Sequence, residues 1–188
     1  MTQLGLRFAA ALLLAKMLHD NQVRKATGCP YISHLLGVAS LAIENGADED
    51  TAIAALLHDA VEDQGGASTR ERIRDRFGDR VVAIIDGCTD SDVEPKPPWK
   101  DRKLAHIAHA ATVDSATALV IACDKLHNMR SIVAEHAVIG PKVWAHFKAG
   151  REESLWYYEA MSVAIAGKIP ASLAVLISRE LRSLQSCA

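Results

Sequence analysis

The chain has 188 residues, 49% of them apolar, which fits one folded domain with a real core and argues against disorder. Lysine and arginine number 21 against 23 aspartates and glutamates, a formal net charge of −2. No basic footprint for nucleic acid exists at that balance, so an anionic substrate must be met by a local cluster of charge.

The first predicted helix runs from about Leu4 to Asp20. Its run Phe8 to Ala15 follows Arg7 and has the look of a signal peptide, but Lys16, His19 and Asp20 follow at once and no small-residue cleavage site appears. An amphipathic first helix is the plainer reading, and no stretch reaches the length of a membrane span. A loop with Gly28 and Pro30 precedes a second helix from Tyr31 to Asn45-Gly46, a good C-terminal stop. Asp48 caps a third helix predicted to reach Glu62, and Gly65-Gly66 breaks the chain. Ser68-Thr69-Arg70-Glu71 has the spacing of a capping box and opens a helix that stops at Gly78. Asp79 caps the next, which ends near Cys88.

Asp90 to Pro98 holds three prolines and is a loop. Pro98 suits the first turn of a helix through Ala111. Asp114 opens a long helix through Val138, closed by Gly140-Pro141, and two or three helices complete the chain. Strand signals are absent, so residues 1–188 read as one all-α domain. Cys29, Cys88, Cys123 and Cys187 form no CxxC pair and suggest no disulfide framework, which fits reduced thiols in the cytoplasm.

The chemistry concentrates in Ala54 to Asp63, where His58-Asp59 ends an apolar run. Such a pair is costly to bury unless something compensates it, and a divalent metal does so. Adjacent helical residues point about 100° apart, so both reach one ion only near a helix end or kink, and Gly65-Gly66 places an end nearby. Glu62 and Asp63 lie one turn beyond His58 and Asp59, where carboxylates can hold or deprotonate a water. Taken alone they also suit a solvated acidic helix end. Asp124 interrupts Ala118 to Cys123 on an apolar helix and needs a partner. A lone histidine such as His34 is more often structural than a ligand. His127 reads as packing or as support for a ligand. Lys96, Lys100, Arg102 and Lys103 flank the proline-rich loop and can face a polyphosphate, Lys100 foremost. Trp156-Tyr157-Tyr158 offers a stacking face for a base, or core packing.

In order along the chain, His34, His58-Asp59 and Asp124 resemble the H…HD…D signature of the HD superfamily. The flanking blocks are more specific. Arg24 to His34, Leu56 to Asp63, and Asp124 to Ser131 resemble the RKxGxPYIxH, LLHDxxED and ADRLHNMRT blocks of the hydrolase domain of RelA/SpoT proteins. The chain departs from them by one extra residue, Ala26 or Thr27, and by Cys123 and Lys125 in place of frequent Ala and Arg.

This resemblance implies a helical HD-type bundle holding one Mn²⁺ through His34, His58, Asp59 and Asp124. It implies hydrolysis of the 3′-pyrophosphate of ppGpp and pppGpp, with Glu62 and Asp63 serving the hydrolytic step. Arg24, Lys25, Asn128 and Ser131 would lie on the nucleotide side. Two imidazoles and two aspartates carry a charge of −2, matching a divalent ion. The same centre would serve another nucleotide phosphatase or an enzyme acting on the 2′-phosphate of NADPH. A silent nucleotide sensor is the remaining alternative, but it would have no need of the intact acidic pair.

Overall fold

The computed structural model describes residues 3–91 and 95–187, so Asp92 to Glu94 of the expected proline-rich loop lie outside the described residues. Among the described residues the chain forms α-helices and no strand; an isolated bridge pairs Val23 with Pro30. The helices are α1 (Leu6–Leu18), α2 (Ile32–Glu44), α3 (Glu49–Leu57), α4 (Ala60–Asp63), α5 (Gly66–Phe77), α6 (Asp79–Cys88), α7 (Trp99–Ala110), α8 (Ser115–Ile139), α9 (Gly150–Ile165) and α10 (Ala171–Gln185). Two 3₁₀ segments, Gly140–His146 and Ala166–Lys168, flank α9.

Two of these helices organise the rest. In α3 every residue from Thr51 to Leu57 is buried, so this helix is apolar all round and sits inside the bundle. α8, 25 residues long, spans about 37 Å and packs against α2, α3, α6, α9 and α10. Leu35 of α2, Ile53 and Leu56 of α3, Ile85 of α6, and Ile121, Leu126 and Met129 of α8 meet in the core with essentially no exposure. Gly87 allows α6 to approach α8 closely: a Cβ there would lie 2.5 Å from Thr117 Cγ2.

Local chemistry sets most helix ends. Asp48 and Asp114 each accept a bond from the backbone N–H three residues on, Thr51 at 2.9 Å and Thr117 at 2.8 Å. Gly46, Gly78 and Gly140 take positive φ just beyond α2, α5 and α8.

Four expectations are corrected. Asp79 does not cap α6: it is the first residue of that helix, Gly78 stands at the N-cap, and the Asp79 carboxylate accepts from Arg74 Nε (3.0 Å). The third helix does not run on to Glu62; it stops at Leu57, and α4 begins at Ala60. α5 starts at Gly66 rather than at a capping box, because the Ser68 hydroxyl donates to the Gly65 carbonyl (2.9 Å) instead of capping an N–H. α1 is less amphipathic than expected: Leu14 and Ala15 are buried, while Leu6, Leu13 and Met17 are exposed. No helix among the described residues is long and apolar enough to cross a membrane.

Burial works against ionisation of Asp48, but the Arg80 guanidinium and the Thr51 groups outweigh it and bring the carboxyl down from 3.8 to about 2. A folded value below the unfolded one means that the stabilisation is present above about 4 and lost as pH falls toward about 2. Asp48→Ala at pH 7 is therefore expected to cost about 1 kcal/mol, roughly 2–4 °C in Tm. Thermal melts between pH 7 and pH 2.5 should show the gap from wild type closing at the acid end; a constant gap would mean that the carboxylate charge plays no part.

Candidate metal centre and cleft

The break between α3 and α4 falls on His58 and Asp59 themselves. Asp59 sits at φ −95°, ψ −3°, the sparsely occupied bridge region between helix and extended chain. This turns its carboxylate back toward the His58 ring, and Asp59 Oδ2 lies 3.1 Å from His58 Nε2. His34, in the first turn of α2, brings Nε2 to 3.5 Å from the same oxygen. Asp124, midway along α8, places Oδ1 at 3.2 Å from His34 Nε2 and 3.7 Å from His58 Nε2. Donor atoms of His34, His58 and Asp59 all lie within 4.8 Å of one another, with the Asp124 oxygen facing both imidazoles.

Hydrogen bonds behind the cluster aim these groups. His58 Nδ1 meets the Ala55 carbonyl at 2.9 Å and must donate to it. In the neutral ring Nε2 is then a bare lone pair, and it is buried with no hydrogen-bond partner among the described residues. An orphaned imidazole nitrogen beside two carboxylates suits a divalent cation. Tyr31 donates to Asp59 Oδ2 (2.7 Å), and Asn128 Nδ2 to Asp124 Oδ1 (2.5 Å). Lys125 Nζ lies 2.6 Å from Asp124 Oδ2. Burial opposes ionisation of both aspartates. The imidazoles, and for Asp124 the Lys125 ammonium first, outweigh it and hold both carboxyls well below the usual range.

The cluster forms one wall of a cleft of about 560 Å³, within the size range of small-molecule sites. Glu62 and Asp63 line it. Glu62 accepts from Lys96 Nζ (2.9 Å) and from the Asp90 N–H (3.2 Å). Asp63 accepts from Gln22 Nε2 (2.8 Å), whose own carbonyl oxygen lies 2.7 Å from His19 Nδ1. Arg24, Lys25, Asn128 and Ser131 also line the cleft, and Arg24 donates to Asn128 Oδ1 (2.7 Å) while lying over the Tyr31 ring. Ala26 and Thr27 lie at the tip of a loop closed by backbone bonds from Arg24 N–H to the Cys29 carbonyl (2.8 Å) and from Tyr31 N–H to the Gln22 carbonyl (2.9 Å).

Lys100 is placed elsewhere. Its ammonium pairs with Glu153 (2.5 Å) over the Trp156 ring, outside the cleft lining. The lining stripe of α7 is Trp99, Arg102, Lys103 and His106. Arg102 and Lys103 both bind the buried Asp90 carboxylate, which they hold ionised against its burial. Burial, with the nearby Lys125, pushes His106 down to about 3, so that ring is neutral. Tyr157 and Tyr158 are buried and form cleft floor as well as core; Trp156 is not in the lining. Sequence reasoning missed Asp90, Gln22 and Lys148. A spacing of 99, 102, 103 and 106 on one helix face was the available signal for α7; Asp90 and Gln22 lie in loops without periodic context.

Residues 11–154 match the family model described as an HD domain. The chain belongs to the HD domain family. A guanosine-3′,5′-bis(diphosphate) 3′-pyrophosphohydrolase of Xenopus tropicalis is 40% identical over 117 residues, 61% of this chain and 63% of that protein. A second protein of that name, from Aquifex aeolicus, is 37% identical over 118 residues, 63% of this chain and 16% of its own length. A probable GTP pyrophosphokinase of Mycobacterium leprae is 37% identical over 123 residues, 65% of this chain but 15% of that protein. The chain thus spans less than two thirds of these relatives. A solved structure described as a metazoan orthologue of SpoT that hydrolyses ppGpp superposes with a TM-score of 0.83 at 25% identity, covering 100% of both chains. A Listeria monocytogenes protein superposes at 0.69 with 29% identity, over 81% of this chain and 96% of that one.

A cation that binds only the folded chain must stabilise it. For chelator-stripped protein, Mn²⁺ at a hundred times its Kd is expected to add about 2.7 kcal/mol, or roughly 5–10 °C in Tm. His58→Ala should abolish that rise in a thermal-shift titration, and an undiminished rise would place the ion elsewhere.

Proposed function

We propose that this HD-family chain is a pyrophosphohydrolase that cleaves the 3′-pyrophosphate of ppGpp or pppGpp, releasing pyrophosphate and GDP or GTP. The supporting observation is convergence: Arg24, Lys25 and His34, His58 to Asp63, and Asp124 to Ser131 are brought from three separate stretches of sequence onto one cleft. Relatives that carry this activity in their names, and a neighbour of the same fold, weigh the same way.

In this reading His34, His58, Asp59 and Asp124 hold one divalent ion, with Mn²⁺ as the proposed occupant. The ion would polarise a water and neutralise phosphate charge. The residues supply the rest. Glu62 or Asp63 takes a proton from water as its oxygen bonds to the phosphorus on the ribose 3′ oxygen. The P–O3′ bond breaks, and the 3′ oxygen leaves and gains a proton. Lys96, Arg102 and Lys103 stand on the acidic side of the cleft, where they can meet the departing pyrophosphate. Arg24, flat and lying near Tyr31, offers a stacking plane for a purine, with Lys25 and Asn128 beside it. A nucleotide is thus the proposed partner, and the unpaired cysteines fit a cytoplasmic setting.

Two measurements test this. Chromatography of reactions with Mn²⁺ should show GDP and pyrophosphate from ppGpp and little cleavage of GTP, dGTP or NADPH; faster phosphate release from NADPH or a mononucleotide would overturn the substrate assignment. Glu62→Gln preserves shape but removes the base, so turnover should fall by about 10²- to 10⁴-fold while bound metal stays at the wild-type level. A near-native rate would reduce Glu62 to a partner for Lys96.

A further inference from the structure

We infer that His127 is a positioning residue for the metal centre and that Gly37 is the socket that lets it act; this rests on the reading of His34 as a ligand.

His34 presents Nε2 to Asp59 and Asp124. For that nitrogen to offer a lone pair to a cation, the ring proton must sit on Nδ1, and a buried N–H needs an acceptor. Among the described residues Nδ1 of His34 has one contact of that kind, Nδ1 of His127, at 3.0 Å. The bond therefore runs from His34 Nδ1–H to the lone pair of His127 Nδ1, and His127 carries its own proton on Nε2. The rings meet edge to face, with centroids 4.9 Å apart and planes at 62°. One hydrogen bond thus selects the tautomer of His34 and fixes its ring plane. Ligating histidines are held in this way by outer partners, commonly a carboxylate or a carbonyl. Here a second imidazole takes that place.

The His127 ring reaches this position only because α2 has no side chain at residue 37. Gly37 lies three residues after His34, on the same helix face. A Cβ built there would stand 2.2 Å from Cδ2 and 2.3 Å from Nε2 of His127, well inside any real contact. Gly37 adopts ordinary helical backbone, with no positive φ, so conformational freedom does not explain the glycine. Room for the His127 ring does. A glycine on α2 and a histidine on α8, ninety residues apart, thus form one device with His34.

The test is Mn²⁺ affinity, measured by titration calorimetry on the chelator-stripped full chain, with circular dichroism to verify folding. His127→Ala is expected to weaken Mn²⁺ binding by about 10- to 100-fold. His127→Asn keeps an acceptor within reach of His34 Nδ1 and should recover most of that loss. Gly37→Ala favours the helix intrinsically but displaces the ring, and should weaken binding comparably. The double variant Gly37→Ala/His127→Ala should bind no worse than His127→Ala alone, because the ring that the new methyl would strike is gone. His34→Ala should lose the metal altogether. If His34→Ala loses the metal while His127→Ala and Gly37→Ala bind within twofold of wild type, the positioning role is wrong and the ligand reading stands. If His34→Ala keeps the metal, the ligand reading itself fails. Should His127→Ala not fold, Gly37→Ala and His127→Asn still decide: loss in the first with recovery in the second supports the inference, and native affinity in Gly37→Ala overturns it.

Discussion

A continuous α-helix through residues 49–63 would turn the His58 and Asp59 side chains about 100° apart, and they could not share a ligand. The chain resolves this by ending α3 at Leu57: His58 keeps helical angles (φ −60°, ψ −30°), Asp59 departs from them (φ −95°, ψ −3°), and the helix resumes at Ala60. The interruption has a second effect. α4 redirects its short run so that Glu62 and Asp63 face the same cleft as the histidines. One local departure from the helix therefore sets both how closely the His58 and Asp59 side chains approach and where the acidic pair lies. It is tolerated because α3, buried on all sides, holds the break rigidly from behind.

Around that break the chain matches its carboxylates with opposite charges. The buried Asp124 meets Lys125, the buried Asp90 carboxylate meets Arg102 and Lys103, and the half-buried Glu62 meets the more exposed Lys96. Tyr31 and Asn128 satisfy carboxylate oxygens that an ion alone would leave short of donors. Such pairs add little net stability, because desolvation offsets their attraction. Their effect is orientation. Each cation is held at a defined edge of the cleft, and Asp124 and Asp90 keep their charge despite burial.

Much of this was legible in the sequence, for reasons that differ by element. Asp48 and Asp114 were readable as caps because a cap is a contact over three residues. Glycines 46, 78 and 140 were readable as stops because they take conformations that other residues rarely adopt. His58-Asp59 and Asp124 stood out because each put ionisable groups on an apolar helix, whereas His34 joined them only through the family resemblance of the block that ends in it. The break at His58-Asp59 carried no glycine or proline to mark it; tertiary demand creates it. The start of α5 was misread because a hydroxyl can serve a carbonyl as readily as an N–H. Lys100 was favoured for its charge beside a proline-rich loop, but helical phase decides orientation, and residue 100 stands about 100° from the stripe begun by Trp99.

The remaining illegible part is the polar support. His19, Gln22 and Asp90 are ordinary residues in ordinary contexts, and only the fold brings the first two behind Asp63 and the third between α7 and Glu62. Loops and helix starts contribute these groups, while α3 and α8 contribute the fixed frame. This division follows from what each can do. Helices buried on several faces cannot shift a carboxylate by an ångström without disturbing the core, so they carry the groups whose spacing must be constant. Segments at the rim carry other lining groups, Arg24 and Lys25 ahead of α2 and Lys148 ahead of α9. The cleft is therefore framed by the bundle core where His34, His58, Asp59 and Asp124 converge and completed by loop residues such as Arg24, Lys25 and Lys148.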